Sequence, residues 1–329
     1  MNLKAVSLFS GGLDSQLAVQ LIKEQNIKVI GVHFTSPFFE GYDAALQAAD
    51  KLGIDLNRIN VGQEYIDTVL KNPVYGYGRN FNPCIDCHAF MLNKAGRYMQ
   101  EIDASFLISG EVVGQRPMSQ NKSSLNAVDK LSGFRGLIVR PLSAKLLPIS
   151  IPESEGWIDR DRLLNISGRG RKQQIELAKK YSIQDYPTPA GGCLLTEAGF
   201  ARRLRKVMEL NPNTESENLD ILKTGRHFYL DSNLLVVGRN HTENLKLQQA
   251  TLKKDSLFKV LDYPGPLGLL RSNGNPELET LKKAAAVVAR YSDARMEQIC
   301  RVKIYRSDER IVNILEIKPL TPEETPRSI

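Results

Sequence analysis

Short apolar runs alternate with longer stretches of helical periodicity through the first half of the chain. LKAVSLF (3–9), IKVIGVHF (27–34) and DLNRINV (55–61) read as strands. Between them, LDSQLAVQLIKEQ (13–25) carries an apolar stripe of Leu13, Leu17, Ala18, Leu21 and Ile22, and DAALQAADKLG (43–53) is helical with a glycine stop. A further helix is expected from the pair Cys84/Cys87 through FMLNKAGRYMQEI, followed by strands at ASFLISG (104–110) and GLIVRPL (136–142). This alternation predicts an α/β fold: a mostly parallel sheet with helices on both faces. At IQDYPTPAGGC (183–193) two prolines and two glycines predict an ordered turn. The remainder reads as a smaller α+β domain, with strands in HFYLDSNLLVVG (227–238), a helix over 276–292, then CRVKIYR and IVNILEIK. The expected division is 1–195, a linker over 196–218 that includes the polar run Asn211–Asn218, and 219–329.

Composition narrows the class. With 42% hydrophobic and 25% charged residues in 329, the chain is long enough for a buried core without covalent staples. Four cysteines do not make a disulfide framework; they predict a reducing compartment and a local thiol function. No apolar stretch spans a bilayer, and MNLKAVSLFSGG lacks the basic and apolar regions of a signal peptide. A cytoplasmic location without membrane association is expected. The net charge of +7 permits a nucleic-acid partner without requiring one, because the excess is shared by both halves.

The strongest chemical signal is LFSGGLDSQLA (8–18) at the first strand–helix junction. Gly11 and Gly12 let backbone N–H groups close on an anion, the helix start adds its positive end, and Ser10 and Ser15 offer hydroxyls. Asp14 would repel phosphate by itself, so it reads as a Mg²⁺ ligand or proton acceptor. No Gly-Lys-Ser/Thr follows, which excludes a Walker A loop. Ser-Gly-Gly-x-Asp-Ser resembles the PP-loop of the ATP pyrophosphatase superfamily (adenine nucleotide alpha-hydrolase-like fold), whose members split ATP between the α and β phosphates and adenylate a substrate carbonyl. The resemblance implies that Ser10, Gly11, Gly12, Asp14 and Ser15 hold pyrophosphate and Mg²⁺, and that His33 and Phe34 lie at the adenine pocket.

LISGEVVGQRPMSQ (107–120) and VRPLSAK (139–145) resemble segments of tRNA 4-thiouridine synthetases. Gly110 and Gly114 would allow close backbone approach, Gln115 would join the nucleotide side, and Arg116 and Lys145 would stabilise charge on the transferring phosphoryl group. NPCxxC (Cys84, Cys87) and PAGGC (Cys193) resemble tRNA thiolase segments. Three thiols from two loops of a parallel sheet suit a 4Fe–4S cluster with one open iron. A persulfide pair and a zinc corner completed by His88 are the alternatives. Cys300 reads as a small buried hydrophobe.

KTGRHFYLDSNLLVVGRNHTENLKLQQ (223–249) resembles the RNA-binding domain of NFACT-type proteins. It implies phosphate contacts from Arg226, His227 and Arg239 and stacking by Phe228 or Tyr229; a dimerisation domain is the alternative. The basic clusters at Arg169, Arg171 and Lys172 and at Arg202 and Arg203 extend the expected RNA surface. Together these features predict an ATP-dependent tRNA sulfurtransferase that adenylates a uridine carbonyl and draws on a sulfur donor. A small-molecule PP-loop ligase and a non-catalytic RNA-binding protein are the rivals, and a homodimer is open. Because Ser10 stands so near the start, no preceding RNA-binding domain of the 4-thiouridine synthetase kind is expected.

Overall fold

The computed structural model describes residues 3–187, 193–272, 274–308 and 310–329. Thr188–Gly192, the middle of the expected Pro/Gly turn, lie outside them. The chain forms two compact units, Met1–Glu197 and Ala198–Ile329.

The first unit is a five-stranded parallel sheet in the order β3-β2-β1-β4-β5. Its strands are β1 (Lys4–Leu8), β2 (Lys28–Thr35), β3 (Asp55–Asn60), β4 (Phe106–Ser109) and the two-residue β5 (Ile138–Val139). The helices are α1 (Leu13–Lys23), α2 (Tyr42–Leu52), the single turn α3 (Gly62–Tyr65), α4 (Cys84–Glu101), α5 (Lys122–Ser132), the single turn α6 (Ile151–Ser154) and α7 (Lys172–Lys180). The central strands are apolar along their length because a sheet covered on both faces has no wet side: Ala5, Val6, Phe106, Leu107 and Ile108 are fully buried. Val6 pairs with Ile30 on one side and with Leu107 on the other. The chain leaves β1 for β2 in one direction and later fills β4 on the opposite side. The topological switch point therefore lies between β1 and β4, and their C-terminal loops flank the crevice where ligands bind in such sheets.

The second unit is an antiparallel six-stranded sheet in the order β11-β10-β8-β9-β7-β6. Its strands are β6 (Arg226–Leu230), β7 (Asn233–Val237), β8 (Ser256–Val260), β9 (Gly268–Arg271), β10 (Cys300–Tyr305) and β11 (Ile311–Ile317); its helices are α8 (Ala198–Leu210), α9 (His241–Gln249) and α10 (Leu278–Arg290). The Ala-rich face of α10 packs on Phe228, Leu235, Phe258, Val302 and Ile304. Cys300 is buried in this core, as a small hydrophobe would be. Residues 198–210, left in the linker by the sequence reading, are helical and bury Phe200, Ala201 and Leu204. Among the described residues no helix is long and apolar enough to cross a membrane.

Candidate active site

The loop after β1 is shaped by two steric demands. Gly11 has φ +74°, and a Cβ there would sit 2.8 Å from Ala45 Cα, so only glycine fits. Gly110, after β4, would place a Cβ 2.7 Å from Ser15 N and 2.8 Å from the Asp14 carbonyl carbon. The two loops at the switch point thus touch backbone to backbone. Gly12 starts α1 without a side-chain cap, which leaves first-turn N–H groups open to an anion. Ser15 Oγ donates to Gly12 O at 2.8 Å and lies 3.3 Å from Ser10 Oγ. Gln16 Nε2 donates to Gly11 O (2.7 Å) and Asp185 O (3.0 Å), bracing the loop from behind.

Asp14, in the first turn of α1, faces this crevice. Its Oδ2 accepts from Gln115 Nε2 at 3.0 Å and from Arg171 Nη2 at 3.4 Å. Its Oδ1 and the Arg171 Nε are both buried without a hydrogen-bond partner. An orphaned carboxylate oxygen beside an open helix start is an acceptor suited to a cation, and the nearby N–H groups suit the anion that the cation would accompany. Arg171 was expected on an RNA-facing surface; it turns instead into the crevice, while Arg169 and Lys172 remain exposed. The signal missed was position: Arg171 is the residue from which α7 starts.

His33 and Phe34 are both buried, but as successive residues of β2 they leave opposite faces of the sheet. His33 lies 2.9 Å through Nδ1 from the Phe9 carbonyl, while Nε2 has no partner. Burial lowers its pKa; the Phe9 bond opposes this and Arg58 adds to it.

The thiols gather beyond the crevice. Cys84 and Cys87 occupy the first turn of α4, directly after Pro83. Asp86, between them, accepts from Val74 N (2.5 Å) and Tyr75 N (3.1 Å) and so pins the preceding loop. Asn82 Nδ2 donates to Cys84 Sγ at 3.2 Å. The Cys193 segment lies against the same loop: Phe81 N donates to Leu195 O, Asn80 Nδ2 donates to Thr196 O at 2.6 Å, and Leu194 N donates to Phe38 O. These bonds join residues more than a hundred positions apart and hold the segment after Cys193 against the loop that leads into the pair. Buried Tyr65 stands beside Cys87, its hydroxyl making no hydrogen bond of normal geometry. Cys87 keeps some residue surface, but its thiol is enclosed, and burial pushes its pKa far up. Burial pushes Cys193 up to about 11; the Leu195 backbone opposes this, Cys84 and Glu197 add to it, and exposed Arg116 opposes it.

His88 is held through one ring nitrogen. Its Nδ1 lies 2.6 Å from Glu111 Oε1. Glu111 Oε2 accepts from Ser109 Oγ (3.1 Å) and from Arg140 Nε (2.9 Å), and the Arg140 fork grips Asp129 at 3.0 and 2.7 Å. Burial works to raise the Glu111 pKa, but Arg140 and His88 outweigh it and hold the carboxyl down at about 2. Sequence reasoning noticed Glu111 and Arg140 only as letters of two motifs. Their pairing holds Glu111 on His88 Nδ1 and leaves Nε2 as the ring nitrogen open to a metal. Among the described residues no three His, Cys, Asp or Glu side chains gather closely enough to hold a single metal ion. Lys145, expected near the phosphoryl group, is exposed and donates to the Asp161 carbonyl.

In the second unit two expectations change. His227 is buried, lies 3.0 Å through Nε2 from the Ile221 carbonyl, and has its pKa lowered to about 4 by burial, so it does not grip phosphate. Phe228 is in the core and offers no stacking face to a base. Arg202 is exposed, whereas Arg203 is half-buried and donates Nε to Leu222 O. Arg226 lies 4.7 Å over the Tyr291 ring, and Arg239 donates Nη2 to Gly225 O at 2.8 Å.

Residues 3–131 match the family model of the tRNA methyl transferase HUP domain. These residues are a PP-loop HUP domain. Residues 225–328 match the model of the NFACT protein RNA-binding domain. The chain is 31% identical over 141 residues to the tRNA-specific 2-thiouridylase MnmA of Proteus mirabilis, an alignment covering 38% of each chain. Relatives of that name are matched over 30% to 61% of their own length, so the chain spans about a third to three-fifths of them. A 4-thiouridine synthetase–RNA complex with bound ATP superposes with a TM-score of 0.38 at 21% identity, covering 56% of this chain and 43% of that one. The U34-tRNA thiolase NcsA of Methanococcus maripaludis, with its [4Fe-4S] cluster, gives 0.31 at 15% identity over 64% of this chain and 67% of that one. The PP-loop and NFACT-type resemblances read from the sequence agree with both family models.

Proposed function

We propose that this chain is an ATP-dependent tRNA sulfurtransferase acting on a uridine carbonyl. The observation that carries the reading is one crevice with an anion-ready helix start and an orphaned Asp14 oxygen, in the same unit as three cysteines carried on two segments that pack against each other. The carbonyl oxygen attacks the α-phosphorus of ATP, the bond to the bridging oxygen breaks, and pyrophosphate leaves. The adenylated carbon then takes sulfur and releases AMP. Asp14 would hold Mg²⁺ through its free oxygen, and the Gly11–Ser15 segment would cradle the leaving pyrophosphate. Arg116, whose charge reaches Cys193, would favour anionic sulfur there. Cys84, Cys87 and Cys193 suit a 4Fe–4S cluster better than a lone ion, because a cubane spreads its thiolate ligands wider than one metal does. When bound, it would supply sulfide at the iron lacking a protein ligand. Asn82 and Asp86 would hold the two cysteines of α4 in place for it. The second unit would carry the tRNA.

Anaerobic purification of the wild-type chain and a Cys193→Ala variant tests the sulfur site. Iron, inorganic sulfide and a broad visible absorption are expected in the first and lost in the second, along with thionucleoside formation in tRNA read by mass spectrometry. An iron-free wild-type chain that still thiolates tRNA would point to the persulfide alternative. The crevice has its own test. Gly110→Ala drives a methyl into the α1 start and is expected to weaken ATP binding about tenfold or more, measured by calorimetry. Unchanged affinity would move the nucleotide elsewhere.

A further inference from the structure

The second unit holds a cavity of about 680 Å³ that the thiolation chemistry does not use. Arg226, Arg239, Arg290 and Arg295 line it, with His241, against a single acidic residue, Asp293. Two of the arginines are held in place. Arg226 is seated over Tyr291, and Arg239 is tied to the Gly225 carbonyl, with a weaker approach to Glu243 at 3.6 Å. The side chains of the other two, Arg290 and Arg295, have no hydrogen bond or ion pair to any described residue, and Arg295 is exposed. The start of α9 opens here as well. Asn240 caps it by accepting from Glu243 N, and both Asn240 and His241 line the cavity. The first-turn N–H groups ahead of Glu243 lack intrahelical acceptors.

The walls are preformed. A Cβ on Gly265 would sit 2.6 Å from Ser292 Cβ, so glycine lets the Pro264–Gly265–Pro266 loop close against residues 292–293. Asp293 N donates to Pro264 O at 2.9 Å. Asn244 Oδ1 accepts from Leu267 N, and Gly238 N donates to Leu267 O, fastening the opposite rim. A rigid concavity with converging guanidinium groups, two of them unpaired, is built for an anion carrying several oxygens.

We propose that this cavity grips backbone phosphate of single-stranded RNA. The proposal rests on the RNA reading of the second unit given above and names where and what that unit binds. Four arginines around one carboxylate far exceed what one small carboxylate ligand needs. The volume admits about one or two nucleotides, and the two prolines offer an apolar wall to a sugar or base. A duplex presents its phosphates on a convex backbone and cannot enter; an unpaired strand can.

Fluorescence anisotropy on the full chain, without ATP, tests this with a labelled RNA octamer. Arg290→Gln/Arg295→Gln removes two unpaired charges; Lys253→Gln/Lys254→Gln removes two exposed charges outside the cavity lining. The cavity variant is expected to bind about tenfold or more weakly, with its salt slope reduced by about 1.4 for two lost phosphate contacts, while the control stays within about twofold of wild type. Equal losses in both variants would reduce the effect to net charge and overturn the proposal. So would a hairpin duplex of the same strand competing as well as the octamer, or inorganic phosphate displacing it at equal phosphate concentration, which would make this a small-anion site. Because the assay reads binding alone, a chain that binds RNA here but thiolates nothing sinks the sulfurtransferase reading and leaves this one standing.

Discussion

Asp14→Asn is expected to lower tRNA-dependent pyrophosphate release by about two to three orders of magnitude while leaving the fold intact. Asparagine keeps the shape of the side chain and can still meet Gln115. What it loses is charge. The free Oδ1 is the acceptor best placed for a cation, and Oδ2 offsets Arg171. Without the carboxylate, Arg171 is left beside the phosphate loop uncompensated, so metal-free ATP should bind at least as tightly as before. The expected signature is therefore a split: nucleotide affinity without Mg²⁺ kept or raised, gain from Mg²⁺ lost, and turnover suppressed. Equilibrium binding with and without Mg²⁺, together with a coupled pyrophosphate assay, reads all three. A variant with full turnover would remove Asp14 from the chemistry.

The largest stability effect is expected at Arg140. Its side chain is almost fully buried and holds two carboxylates at once, Glu111 at 2.9 Å and Asp129 at 2.7 Å. Replacing it with Leu leaves Glu111 buried without its guanidinium partner, held only by His88 and Ser109, which costs about 3–5 kcal/mol. The acid limb should move as well. In the wild type the Glu111 carboxyl titrates near 2 in the folded chain, below its ordinary 4.5. A depressed carboxylate stabilises above its unfolded value, and that contribution is lost as pH falls from about 4.5 toward 2. At full extent it is worth about 3 kcal/mol. In Arg140→Leu the folded-state carboxyl rises, so this acid-sensitive contribution shrinks or reverses. Urea unfolding at pH 7 and at pH 4 measures both effects. A loss under about 1 kcal/mol at pH 7 would mean the network relaxes without its arginine. The consequence reaches the thiols, because Glu111 also holds His88, the residue after Cys87.

Much of the first unit was legible because its signals are local. Apolar runs of seven or eight residues marked β1, β2 and β4 to within about two residues, since strands buried on both faces need no alternation, whereas β3 is a half-exposed edge strand. The tight turn before α1 was legible for a similar reason: Gly11 at φ +74° is a demand on one residue's backbone. Short, interrupted elements were harder. β5 is only two residues long, and β8 and β9 flank a Pro/Gly stretch that masks their period. α8 was passed over because its arginines dominate the composition, although Phe200, Ala201 and Leu204 follow helical spacing.

The sequence alone determined where the chain turns, which segments are buried, and that an anion loop and cysteines are present, because backbone conformation and burial period depend on neighbours in the chain. Only the tertiary structure decided which charges meet. Asp14 and Arg171 are 157 positions apart, and Arg140 reaches Glu111 across 29. Strand order brings such groups together, and no local pattern encodes it. For that reason Arg171 moved from an expected RNA surface into the crevice between β1 and β4, His227 moved from a phosphate contact into the core, and Arg290 and Arg295 emerged beside Arg226 and Arg239, which the sequence motif had already marked.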